Sequence, residues 1–236
     1  MLRRTAVVLA LVAASWVAGC GQNAERPAVS AVATERAPEH PAGVQPPKAV
    51  ARPRIVMLGD SLTAGLGLSS DQAYPALLQQ RLDASGFKYE VVNAGASGDT
   101  SAGGLSRLDW ALEGDVRFLI VALGGNDALR ALPPEELRRN LATIIERAQA
   151  KHITVVLAGM EAPRNFGRDY VVRFHQVYPD LAKKYNVGLV PFLLEDVAGI
   201  ERLNQRDGIH PTAEGAEIVA NHLWSMLKPI LLTARS

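Results

Sequence analysis

The chain has 236 residues, room for one sizeable domain with appendages, and 48% of them are hydrophobic, enough to bury a core. Its 25 Lys and Arg balance 24 Asp and Glu for a formal net charge of +1, with no long block of either sign, so no nucleic acid is indicated as a partner. A single cysteine, Cys20, leaves no intrachain disulfide to form, and the five histidines are scattered outside any metal-ligand spacing, so the expected cofactor is none and the expected metal is none.

The first element in chain order is "MLRRTAVVLALVAASWVAGC". Arg3 and Arg4 precede an apolar stretch from Ala6 to Val17, too short and too one-sided for an ordinary membrane span, so residues 1–19 read as a secretory signal. Its last four residues, "VAGC", resemble the lipobox of bacterial lipoproteins, in which small residues precede a cysteine whose thiolate takes up the lipid. The resemblance implies that Cys20 is lipidated and becomes the new N-terminus. The alternative is a plain signal peptide cut nearby, with Cys20 incidental. No aspartate follows the cysteine; Gly21 does. By the same resemblance, the expected location is the bacterial cell envelope, anchored in the outer membrane and facing the periplasm.

Residues 20–53 are rich in proline and alanine and hold no aromatic residue or apolar period, which reads as a disordered tether with a solvated His40. Fully extended, such a segment reaches about 100 Å; as a coil, about 30 Å.

From Arg54 to the end of the chain, strand-like and helix-like segments alternate. "RIVMLG" (54–59), "KYEVVNAG" (88–95), "RFLIVALGG" (117–125), "ITVVLAGM" (153–160) and "VGLVPFL" (187–193) are mostly continuous runs rich in Val, Ile and Leu, the mark of strands buried on both faces. In "PPEELRRNLATIIERAQA", Leu137, Leu141, Ile144, Ile145 and Ala148 form one helical stripe, with prolines and two glutamates at its start. Further helices are expected over 73–84, 101–112, 169–185 and 212–228. The fold class is α/β: a three-layer α/β/α sandwich with a central, mostly parallel five-stranded sheet over residues 54–236.

Ligands on such sheets bind at the carboxyl ends of the strands. There the sequence places "GDSL", "NAGASGDTSAGG" and "GGNDALR", with "RDGIHPTAEG" before the last helix. Ser61 is a hydroxyl at a strand-to-helix turn, where backbone amides are free. Gly98 lies in a glycine-rich loop that lets an N–H approach a ligand closely. Asn126 offers a side-chain NH₂. Asp207 and His210, with Gly208 and Pro211 around them, suit a turn in which the carboxylate orients the imidazole. A serine attacks an ester only when a base takes its proton, and a histidine held by a carboxylate is such a base. The Ser61 N–H, the Gly98 N–H and the Asn126 amide are then the natural donors for the oxyanion. Asp60 reads as a cap or a loop partner, Asp127 as a structural acceptor, and His152, His175 and His222 as structural.

These four blocks, over roughly Arg54 to Leu227, resemble those of the SGNH, or GDSL, hydrolase superfamily. The loop "MEAPRNFGRDY" fits its thioesterase I/lysophospholipase L1/arylesterase branch. The resemblance implies a flavodoxin-like fold with Ser61 as nucleophile, His210 as base, Asp207 as its orienting acid, and Ser61, Gly98 and Asn126 as the oxyanion hole. Gly98, before "DT", is chosen over Gly95. It also implies that the loops after Asn126 and around Phe166 shape an acyl groove, with Leu129, Leu132 and Phe166 as expected wall residues.

The expected activity is a serine esterase acting through an acyl-enzyme on aryl and short-to-medium acyl esters, with thioesters and lysophospholipids as further candidates. The expected partners are a small-molecule ester or lipid and, through the anchor, a membrane; the oligomeric state stays open. Two rival readings stand beside it: a deacetylase of envelope polysaccharide and a catalytically idle, tethered binding protein.

Overall fold

A computed structural model describes residues 52–234. The signal segment, Cys20, His40 and the rest of the tether up to residue 51 lie outside the described residues.

Five strands form one sheet: β1 (Arg54–Gly59), β2 (Glu90–Gly95), β3 (Val116–Ala122), β4 (Thr154–Ala158) and β5 (Gly188–Val190). Their spatial order is β2-β1-β3-β4-β5, and every pairing is parallel. The chain therefore winds out from β1 in both directions, and its helices fall on opposite faces. Helix α1 (Ser61–Ala64) follows β1 at once, and α2 (Tyr74–Ala84) leads to β2. Between β2 and β3 come α3 (Ser101–Ser106) and α4 (Leu108–Ala111). Then α5 (Gly125–Leu129) and α6 (Pro134–Gln149) lead to β4, α7 (Arg168–His175) and α8 (Val177–Tyr185) lead to β5, and α9 (Ala213–Thr233) closes the fold. On one face α2 packs against α9; on the other α6 packs against α3 and α8.

The periodic stripe of α6 is fully buried: Leu137, Leu141, Ile144, Ile145 and Ala148 all have 0% exposure. The central runs of β1 and β3 are covered from both sides, as continuous apolar strands require.

Several expected boundaries shift. The last strand is only Gly188–Val190, because from Pro191 the chain turns away to follow the end of β4. The expected helix over 101–112 is two short helices, α3 and α4. The one expected over 169–185 breaks at Gln176, where Pro179 has no N–H to offer the His175 carbonyl. The last helix continues past Pro229 to Thr233, because Leu231 on its inner face is fully buried.

Register brings the site together. Gly59, the last residue of β1, pairs with Gly95 of β2 on one side and Ala122 of β3 on the other. The polar stretches that follow these three residues therefore start level with one another, at the point where the winding reverses.

Candidate active site

Helix α1 folds straight back over the ends of β1 and β2. A Cβ at Gly59 would overlap the Thr63 side chain, and one at Gly95 would overlap the Ala64 backbone, so both positions need glycine for the helix to sit there. Asp60 caps this helix, its Oδ1 accepting from the Leu62 N–H at 3.0 Å. Ser61 is the first helical residue, so its own N–H has no partner within the helix.

His210 reaches Ser61 from the far end of the chain, its Nε2 lying 2.8 Å from Ser61 Oγ. On its other side, His210 Nδ1 lies 2.7 Å from Asp207 Oδ2. An ionised carboxylate only accepts, so Nδ1 carries the proton and Nε2 is left to accept from the serine hydroxyl. Asp207 is itself held: its Oδ1 accepts from the N–H groups of Ile209 at 2.9 Å and of His210 at 3.0 Å. The Ile209 N–H first, and then the His210 ring, lower the Asp207 pKa to about 2, so this group is ionised at every pH a neutral histidine needs. The loop is tied back by an antiparallel bridge between Asn204 and Pro211 and by Gln205 N–H donating to the His210 carbonyl at 2.7 Å.

Gly98 lies in the loop after β2, with φ +85, a left-handed value that suits glycine. Asn126 is the second residue of α5. Its Nδ2 donates to the Asp99 carbonyl at 2.9 Å and, more distantly, to Asp60 Oδ2 at 3.3 Å. Arg107 braces this corner: its Nε meets Asp99 Oδ2 at 2.6 Å and its Nη2 donates to the Gly59 carbonyl at 2.8 Å. Asp127 is buried and accepts from Ser101 N at 2.8 Å and Ser101 Oγ at 2.5 Å, which fixes α5 to α3.

Asp60 is 2% exposed, and burial raises its pKa from 3.8 to about 6. It touches both the helix that carries Ser61 and the amide of Asn126. The sequence left open a cap or a loop partner for it, and it is both, capping α1 and accepting from the Asn126 amide.

A groove of about 950 Å³ runs from Ser61, Asn126 and His210 along the ends of β4 and β5. Leu129 lines it, with Met160, Ala162, Val171, Phe192 and Leu194. Leu132 and Phe166 do not, which corrects the expectation for those two. Leu132 is half-buried with its carbonyl taken by the Tyr170 hydroxyl at 2.9 Å, and the Phe166 ring packs edge-on against Tyr170 at 5.8 Å. Met160 and Phe192 were missed as site residues although the same rule locates them, since each lies just beyond the carboxyl end of a strand.

Residues 57–218 match the family model described as "GDSL-like Lipase/Acylhydrolase family". The chain belongs to this family. Among relatives of this GDSL-like hydrolase, Esterase TesA of Pseudomonas aeruginosa is 43% identical over 178 residues, covering 75% of this chain and 89% of that protein. Thioesterase 1/protease 1/lysophospholipase L1 of Escherichia coli K12 is 38% identical over 185 residues, covering 78% of this chain and 88% of that protein. The crystal structure of TesA superposes with a TM-score of 0.72 at 43% identity, covering 75% of this chain and 98% of that one. The psychrotrophic esterase EstA from a Pseudoalteromonas species, in a structure inhibited by monoethylphosphonate, gives 0.72 at 31% identity, covering 75% and 98%. The GDSL-like hydrolase thus falls with the thioesterase I and arylesterase branch, as its sequence blocks implied.

Proposed function

We propose that Ser61, His210 and Asp207 are the catalytic triad of this hydrolase, with the Ser61 N–H, the Gly98 N–H and the Asn126 amide as its oxyanion hole. The protein is a serine ester hydrolase, and the geometry supports these residues as its working groups. The observation that carries the assignment is the unbroken chain from Asp207 through both ring nitrogens of His210 to Ser61 Oγ, at 2.7 and 2.8 Å.

In the reaction, Ser61 Oγ attacks the carbonyl carbon as His210 Nε2 takes its proton. The negative charge that develops on the carbonyl oxygen is met by the hole. Asn126 keeps its shorter bond to Asp99 and turns the N–H of its longer bond, the one to Asp60, to the oxyanion. His210 returns the proton to the leaving group, the acyl-enzyme forms, and water activated by the same histidine releases the acid.

The groove's apolar walls support aryl and short-to-medium acyl esters as substrates, and the names of the relatives support thioesters and lysophospholipids as further ones. Methylene-by-methylene discrimination on such walls is worth about 1–3 kcal/mol, so a broad chain-length range is expected. The same proposal puts the enzyme in the cell envelope, held at the outer membrane and facing the periplasm by a lipid on Cys20, which rests on the "VAGC" motif.

The test is hydrolysis of p-nitrophenyl esters from acetate to palmitate by the full chain in detergent, beside Ser61→Ala. Loss of a nucleophile that works with its base costs about 10⁴-fold or more in kcat. Equal rates for the two proteins would refute the assignment.

A further inference from the structure

Beyond the groove lies a second hollow, of about 400 Å³, between β5 and α9. Val190, Pro191 and Met226 line it, and Phe192 and Glu195 line both it and the catalytic groove. The two spaces are therefore neighbours across the segment that follows β5. The backbone of that segment is fixed. Gly159 N–H donates to the Val190 carbonyl and Leu193 N–H to the Gly159 carbonyl, each at 2.8 Å. A Cβ at Gly159 would overlap the Pro191 carbonyl, so strand end and segment lie in direct contact. Leu193 is fully buried and Leu194 is buried in the groove wall, whereas Phe192 is half-buried and lines both spaces. Of the two residues that line both spaces, Phe192 is the apolar one, and it stands on a rigid base. The polar members of the hollow's lining are Glu195 and Ser225, both exposed, and His222, half-buried with its Nε2 3.6 Å from Asp196 Oδ2 and its Nδ1 buried without a hydrogen-bond partner among the described residues.

We propose that Phe192 sets the acyl-chain length this enzyme accepts, and that the hollow behind it is a site for the far end of a linear alkyl chain, walled off from the groove by the Phe192 ring. The inference rests on the assignment of the groove as the acyl site, and it names the alkyl tail as occupant because the hollow continues that groove. With the ring in place, a chain that fills the groove gains nothing from further methylenes. With the ring removed, each added methylene that enters the hollow gains about fourfold in kcat/KM.

The experiment measures kcat/KM for the p-nitrophenyl ester series with the full chain, Phe192→Ala, Met226→Trp and the double variant, and reads the ratio of decanoate to butyrate. Phe192→Ala is expected to raise that ratio at least tenfold. Met226→Trp fills the hollow from α9: alone it leaves the ratio as it is, and combined with Phe192→Ala it abolishes the gain. Should Phe192→Ala fail to fold, Phe192→Leu takes its place with a smaller rise. An unchanged ratio in the Phe192 variant, or a gain that survives Met226→Trp, overturns the proposal while butyrate turnover still supports the triad. Butyrate turnover that persists in Ser61→Ala refutes the triad instead, and the acyl groove with it.

Discussion

A buried carboxyl group beside a site that must stabilise negative charge works against both folding and catalysis once it ionises. Asp60 is that group. Its pKa is 3.8 in the unfolded chain and about 6 in the fold, chiefly through desolvation. Between those values the native state holds a proton that the unfolded state has lost, so stability falls as pH rises through this window and the loss is complete above it. A shift of about two units corresponds to about 3 kcal/mol. Asn in its place keeps an oxygen for the Leu62 N–H but turns an NH₂ toward Asn126, at a cost of about 1 kcal/mol. Asp60→Asn is therefore expected to be more stable than the natural protein by about 2 kcal/mol at pH 8 and slightly less stable at pH 4. Urea unfolding at the two pH values checks it, and a difference of the same sign and size at both would remove the desolvation argument.

At the scale of elements, legibility followed period and length. The five strands were readable because continuous Val, Ile and Leu runs have few uses other than a covered parallel sheet, and α6 because its stripe repeats over about three turns. Helix α1 was legible only as the strand-to-helix turn at Ser61, and α5 not at all: at 4 and 5 residues they hold no period, and both form where a strand end turns sharply. Proline misled in both directions. Pro179 split a helix that read as one, while Pro229 sits in a helix held to the core by Leu231. The residues proposed for the triad and oxyanion hole stood out because their blocks pair unusual polar residues with glycine, three at strand ends and one before the last helix. The groove walls were less so, since an apolar residue on a polar loop does not declare which side it faces. Leu129 lines the groove; the Phe166 ring packs on Tyr170, and Leu132 meets Tyr170 only through its backbone carbonyl.

At the scale of the molecule, one sheet edge collects groups from both ends of the domain: Ser61 and His210 are 149 residues apart in sequence and in hydrogen-bond contact. A lipid on Cys20, as proposed from the "VAGC" motif, would tie the enzyme to a membrane. Expressed as the full chain in a Gram-negative host, the protein is expected in the detergent-soluble membrane fraction, and Cys20→Ala in the soluble one. Membrane fractionation unchanged by the substitution would rule out the anchor. The central claim is that Ser61 forms the covalent intermediate, and the most direct measurement is peptide mapping by mass spectrometry after reaction with a fluorophosphonate. The account predicts one adduct, on the peptide that carries Ser61, absent when His210 is replaced by alanine. A label on another serine, or none on a protein that still hydrolyses esters, would contradict it.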